Sequence, residues 1–252
     1  MIMYILYFLA LLLGICIIPT ALLIYKKRIT FFNGVFLGTF LFLVSFGCVV
    51  FGFSVVNGYS IIDSFVNSLF ENLKLVFDMA EGIPVESQRA IFKLIEEMKN
   101  LYVTLLPSMI IMSCLIWSYI VLMLAKGILA IFKKDISGFK KFSELKMPKS
   151  ALFAATVAFI VSSIAGDGKV GYALINFSSI ILSLTTVCGL SFIDFKLRKK
   201  VKLSVVRIII YVALMLILNF ILGDATGLFL FVGMFDTVFD FRKRDKKPEI
   251  DS

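Results

Sequence analysis

The sequence has no histidine and one tryptophan, and its 252 residues include only four cysteines and five prolines. Without histidine there is no Ser-His-Asp triad, no imidazole-ligated zinc and no His-ligated haem. Cys16, Cys48, Cys114 and Cys188 stand far apart inside apolar stretches, with no CxxC pair. Such thiols behave as small hydrophobes, so neither a disulfide nor a metal site is expected. No Walker A motif is present, so no intrinsic ATPase is indicated, and no cofactor is expected. Charged residues make up 17% of the chain, where an ordinary soluble domain carries about 25%.

Apolar sequence fills the space. Hydrophobic residues account for 60% and mean hydropathy is +0.99, more apolar surface than a soluble enzyme could hide. A helix needs about 20 apolar residues to cross about 30 Å of hydrocarbon. Seven runs are candidates: Ile2–Tyr25, Phe31–Val56, Leu101–Phe132, Pro148–Gly166, Val170–Ile193, Leu203–Leu222 and Ala225–Phe241. The first lacks a basic leader and is too long for a signal-peptide core, so it reads as a span. The third is over-long and must tilt or protrude. Pro107 falls near its start, where a missing N–H costs least. Continuous apolar runs, rather than alternating ten-residue strands, exclude a closed barrel.

The formal charge of +9 is sorted along the chain. Lys26, Lys27 and Arg28 follow the first run. Lys133, Lys134, Lys140, Lys141, Lys146 and Lys149 follow the third. Lys196, Arg198, Lys199, Lys200 and Lys202 follow the fifth, and Arg242, Lys243, Arg244, Lys246 and Lys247 the seventh. Every cluster follows an odd-numbered run, so all fall on one side, which positive-inside makes cytoplasmic. The expectation is an all-α polytopic helical membrane protein with about seven transmembrane helices, N-terminus outside and C-terminus inside. The bilayer is its first partner. Nucleic acid is not expected, because the bases are juxtamembrane and no reader motif accompanies them.

Between the second and third runs the composition changes. Ile62, Phe65, Val66, Leu69, Leu73, Val76, Phe77 and Ala80 recur at helical spacing, with Asp63, Asn67, Glu71, Lys74 and Asp78 elsewhere. That is an amphipathic helix. Gly82-Ile83-Pro84 breaks it, and a second amphipathic stretch runs over about Val85–Met98. The chain therefore divides into two helices (1–56), an external amphipathic hairpin (57–100), a five-helix core (101–241) and a basic tail (242–252).

Small residues four apart let helices approach closely. Ala10/Gly14, Gly34/Gly38 and Ala151/Ala155 are candidate packing pairs, either within the bundle or toward a membrane-protein partner. The fifth run is the most polar, with Asn176, Ser178, Ser179, Ser183, Thr185, Thr186 and Ser191, and Asn219 lies deep in the sixth. Groups of this kind face a bundle interior or a cavity. Asn176, Ser179, Ser183, Asn219 and Asp236 are the candidate contacts for a small-molecule solute. Asp194 stands at a helix C-terminus, where the dipole disfavours an anion, so it needs a partner; Arg198 at i+4 is the nearest. Gly166-Asp167-Gly168-Lys169 partly matches the GxGDxK motif of prepilin-type aspartic peptidases. Ile164 stands where the first glycine belongs, and the topology separates Asp167 from Asp194 and Asp236. The nearest same-side acid, Asp224, lacks the second motif. No catalytic residue is assigned.

Three segments carry a family resemblance: Phe142-Ser-Glu-Leu-Lys-Met-Pro148, Gly189-Leu-Ser-Phe-Ile-Asp-Phe195 and Gly233-Met-Phe-Asp-Thr-Val-Phe-Asp-Phe-Arg-Lys243, with Asn176 between the first two. Over about Lys140–Lys243 the chain resembles the YybS-like family of predicted bacterial membrane proteins. The resemblance implies a multi-spanning protein of the cytoplasmic membrane and carries no activity with it. The helical pattern is loosely similar to the substrate-binding subunits of energy-coupling-factor transporters, which dock an energising partner through small-residue faces on the first helix. Ala10 and Gly14 would be that face here. The functional expectation is a transport-related, non-enzymatic solute-binding module. A structural or assembly protein of the envelope is the alternative, and an intramembrane aspartic peptidase is a remote one. Single cysteines placed at 167 and 194 are expected to label from outside and inside respectively; labelling of both from one side would overturn the topology.

Overall fold

The computed structural model describes residues 18–79, 84–166, 168–201, 203–222 and 226–244. Ala10, Gly14, Asp167, Asp224 and the side chain of Asn219 lie outside the described residues. Helices dominate, and no strand occurs among the described residues. In chain order they are α1 (helical over 18–25), α2 (Phe31–Asn57), α3 (Ile61–Asp78), α4 (Val85–Ile131), α5 (Lys149–Ala165), α6 (Lys169–Arg198), α7 (Ser204–Leu222), α8 (Thr226–Phe239) and α9 (Phe241–Arg244). A 3-10 turn, Phe142–Glu144, precedes α5. Among the described residues, α2, α4 and α6 are long and apolar enough to cross a membrane, and α5 and α8 are shorter apolar helices. The protein is an all-α integral membrane protein.

The largest departure from the sequence expectation is α4. The amphipathic stretch and the third run form one helix of 47 residues, about 70 Å long at 1.5 Å per residue. That is more than twice the hydrocarbon thickness, so a large part of α4 stands outside it. Pro107 lies in the interior of this helix, not near its start. Its ring leaves the carbonyl of Val103 without the usual i−4 donor, a cost the flanking turns absorb. The chain forms two compact units, one over Met1–Phe139 and another over Lys140–Ser252.

In the first unit, α2 begins with Thr30 accepting from Asn33 N–H at 3.3 Å and ends at Gly58, whose φ of 73° closes the helix in the left-handed region that suits glycine. Ser60 caps α3 in the same way, accepting from Asp63 N–H. The Gly34/Gly38 stripe is a contact face. A methyl on Gly38 would fall 2.2 Å from Ser118 Oγ of α4, and one on Gly34 2.5 Å from Ile24 of α1. Ser118, fully buried, donates to Val35 O at 2.9 Å and satisfies its hydroxyl across the interface. Helix α3 folds back on the first turns of α4. Phe70 meets Tyr102 edge-on at 5.8 Å, Lys74 pairs with Glu96, and Gln88 donates to Asp78 at 2.9 Å. The Lys74 ammonium holds the Glu96 carboxyl below its usual value. At the opposite end of α4, Lys27 pairs with Asp135 at 2.9 Å.

In the second unit, α5 and α6 form an antiparallel pair. Ala155 is fully buried, and Ser178 of α6 donates to its carbonyl at 3.1 Å; Ala151 is half-buried. The closest packing lies between α6 and α8. A methyl on Gly189 would stand 2.0 Å from Phe229 O, and one on Gly233 2.0 Å from Thr185 O. Only hydrogen at both positions lets these backbones touch, which favours Cα–H···O contacts. Gly233→Leu and Gly189→Leu are each expected to cost about 1–3 kcal/mol, read as a lowered unfolding temperature in detergent. Gly47→Leu, with open space around it, is the control. Wild-type melting of both α6–α8 variants would sink the close-approach account.

Candidate functional site

The segment 140–146 and the C-terminal ends of α6 and α8 converge at one end of the second unit. Arg242, in α9, ties them together. Asp240 makes this possible, because its φ of 51° turns the chain sharply between α8 and α9. Asp and Asn are the non-glycine residues that best tolerate that region. Its N–H still donates to Asp236 O at 3.0 Å, ending α8 cleanly. Arg242 then folds back into the bundle and is only 7% exposed.

Each face of that guanidinium is used. Nε donates to Asp236 Oδ2 at 2.7 Å. One terminal nitrogen donates to Ser143 O at 2.7 Å and Ser191 Oγ at 3.2 Å, and the other to Cys188 O at 3.2 Å. The rings of Phe192 and Phe195 lie 5.8 and 5.9 Å from its carbon. Ser191 in turn shares its hydroxyl proton between Phe142 O at 2.6 Å and Leu145 O at 2.9 Å. A buried charge demands this degree of satisfaction. Asp236 is 1% exposed, and its second oxygen, Oδ1, has no hydrogen-bond partner among the described residues.

Outside this anchor lies a cavity of about 520 Å³. Six cations (Lys140, Lys146, Arg198, Lys199, Arg242, Lys243) and two carboxylates (Glu144, Asp240) line it, a formal excess of four positive charges. Three of the four basic clusters read from the sequence thus contribute to one pocket. Asp240 pairs with Lys146 and, at 3.3 Å, with Lys243. The Lys146 ammonium holds its carboxyl below the usual range. Lys199 sits 5.3 Å above the Phe195 ring.

The sequence candidates are dispersed. Asn176 is half-buried, and its amide donates back to Tyr172 O at 2.8 Å. Ser179 and Ser183 are half-buried on the same helix. None of these, nor Asp236, lines the pocket, although Asp236 holds the arginine that does. Asp194 does not pair with Arg198. It accepts from Arg207 Nε of α7 at 2.9 Å and from the Tyr211 hydroxyl, while Arg198 donates to Ser143 Oγ at 3.2 Å. Positions i and i+4 are offset by about 40° around a helix; here Asp194 meets α7 and Arg198 meets the 3-10 turn. A lone arginine in an apolar run demands a partner, and Arg207 carried that signal in the sequence. The convergence of residues 140–146 with 242 had no local signal.

Residues 1–237 match the family described as Predicted membrane protein (DUF2232). The chain belongs to that family. It is also 31% identical over 147 residues to a Bacillus subtilis (strain 168) protein described as Uncharacterized protein YybS. The aligned stretch covers 57% of this chain and 47% of that protein, so the chain spans about half the length of the relative. No solved structure matches. The family match extends to the N-terminal half, beyond the segments in which the YybS-like resemblance was legible.

Arg242→Ala leaves Asp236 buried and unpaired, a loss of about 3–5 kcal/mol. The Asp236→Ala/Arg242→Ala double variant is expected to melt higher than the sum of the single losses predicts. Strict additivity would show that the pair is not coupled.

Proposed function

We propose that this chain is a transport-related membrane module of the bacterial cytoplasmic membrane that binds a small solute without converting it. The observation that carries the reading is the pocket of about 520 Å³ at the end of the second unit. It falls within the range of about 300–1,000 Å³ typical of small-molecule sites. Its floor is held by a buried arginine bonded through all three of its nitrogens, a rigid support of the kind a binding site needs. Two inner carboxylates weighed as peptidase partners of Asp167 are engaged in ion pairs: Asp194 is held by Arg207 and Asp236 by Arg242. Binding without chemistry therefore fits these groups better than catalysis. The positive-inside rule supports a cytoplasmic position for the pocket. Movement of solute across the bilayer would call on a membrane-protein partner.

Native mass spectrometry of the full chain purified in detergent is the test. A retained small molecule, with or without a second subunit, is the expected result. Absence of any retained solute, together with no change in melting across a panel of cytosolic metabolites, would sink the reading.

The α3–α4 hairpin supports a second reading, an envelope assembly protein. Phe65, Val76 and Leu94 are exposed there beside the ion pairs that hold the hairpin closed. Val76→Ser with Leu94→Ser is then expected to release co-purifying proteins. Retention of every partner would count against it.

A further inference from the structure

We propose that the basic pocket takes a phosphate-type anion and that Asp240 is a built-in competitor for it. The inference rests on the solute-binding reading above and names the class of ligand.

Charge and position carry it. Helix C-termini present partial negative charge and repel anions, and α6 and α8 both end at this pocket. A pocket built only to close the fold would need enough cations to offset those ends. This one still has a formal excess of three positive charges after Glu144, Asp240 and the Asp236 partner of Arg242 are counted. The cations come from three separate segments: Lys146 before α5, Arg198 and Lys199 at the end of α6, and Lys243 in α9. Convergence of point charges and a guanidinium on one volume suits a group with several equivalent oxygens. A phosphate offers three such acceptors and up to about two negative charges, where a carboxylate offers two acceptors and one charge. Arg242 is already committed to Asp236, Ser143, Ser191 and Cys188. It positions the wall, and the outer cations receive the ligand.

Asp240 occupies the place such a ligand would take. Its carboxylate bridges Lys146 and Lys243, and it reaches them from a left-handed backbone position that points it into the cluster. An incoming phosphate must take Lys146 from Asp240. Removing the carboxylate charge therefore strengthens binding, whereas removing a cation weakens it. The ligand chemistry has two sources, a soluble phosphate compound or the headgroup of an anionic phospholipid of the adjoining leaflet.

The full chain, reconstituted in phosphatidylcholine nanodiscs, is titrated with inorganic phosphate. A parallel set of discs carries phosphatidylglycerol, and the readout is the shift in melting temperature and the apparent affinity. A response to inorganic phosphate assigns a soluble ligand, and a response confined to phosphatidylglycerol assigns a headgroup; either supports the site. Asp240→Asn keeps a residue that tolerates the left-handed turn, and it is expected to tighten binding by about three- to tenfold. Lys146→Ala and Arg198→Ala are expected to weaken it by about tenfold. If an alanine variant fails to fold, Asp240→Asn still decides. Unchanged affinity in Asp240→Asn overturns the competitor role, and no response to either phosphate source overturns the site. A neutral solute retained by the purified chain, with no phosphate response, removes this inference and leaves solute binding standing. No retained solute and no response remove both.

Discussion

The second unit depends on one buried guanidinium. Arg242 lies near the end of the described chain, yet it holds the carbonyl of Ser143, the carbonyl of Cys188, the hydroxyl of Ser191 and the carboxylate of Asp236 at once. In a chain so apolar, hydrophobic burial cannot distinguish one arrangement of helices from another, because lipid tails solvate apolar side chains equally well. Specificity must come from groups that have few ways of being satisfied. A buried arginine with five N–H donors is such a group. The pair with Asp236 is not itself a large source of stability, since desolvation offsets most of the Coulomb gain. What it supplies is a single geometry in which the 3-10 turn, α6 and α8 come together.

Close backbone packing complements that constraint. Gly189 and Gly233 bring α6 and α8 within contact distance, and the same two glycines open the family-like segments that end at Phe195 and Lys243. Each segment thus carries both elements: a glycine for the crossing and, some residues later, the polar groups that close the end of the bundle. The first unit uses the same devices with different residues, Gly34 and Gly38 as the face and Ser118 as the polar tie. The pocket follows from this design. Once Arg242 has fixed the ends of α6 and α8, the basic residues that flank them have no choice but to converge, and Asp240 is the carboxylate placed among them.

Much of the fold was legible in the residues. Apolar runs of about 20 residues announce helices because hydrocarbon leaves backbone groups no other partner. The amphipathic spacing from Ile62 to Phe77 marked α3, and the hairpin partner was visible in the stretch after Pro84. The join at residue 100 was not visible. A change from amphipathic to apolar composition reads as a boundary, but helix geometry has no reason to break where only the solvent changes. The partner of Asp194 was missed for a different reason. Sequence proximity favoured Arg198, while the side chain meets α7, and Arg207 lies on another helix.

The sequence by itself determined the membrane class, the helical content and the need for partners at every intramembrane charge. These are local or additive properties, settled by composition, hydropathy and periodicity. Only the tertiary structure decided which partners meet. It brought Arg242 to Ser143 across 99 residues of chain and Asp194 to Arg207, and it gathered cations from three segments around one pocket. Such pairings depend on how helices cross and rotate against one another. That in turn rests on contacts such as Gly189 against Phe229, which no single segment encodes.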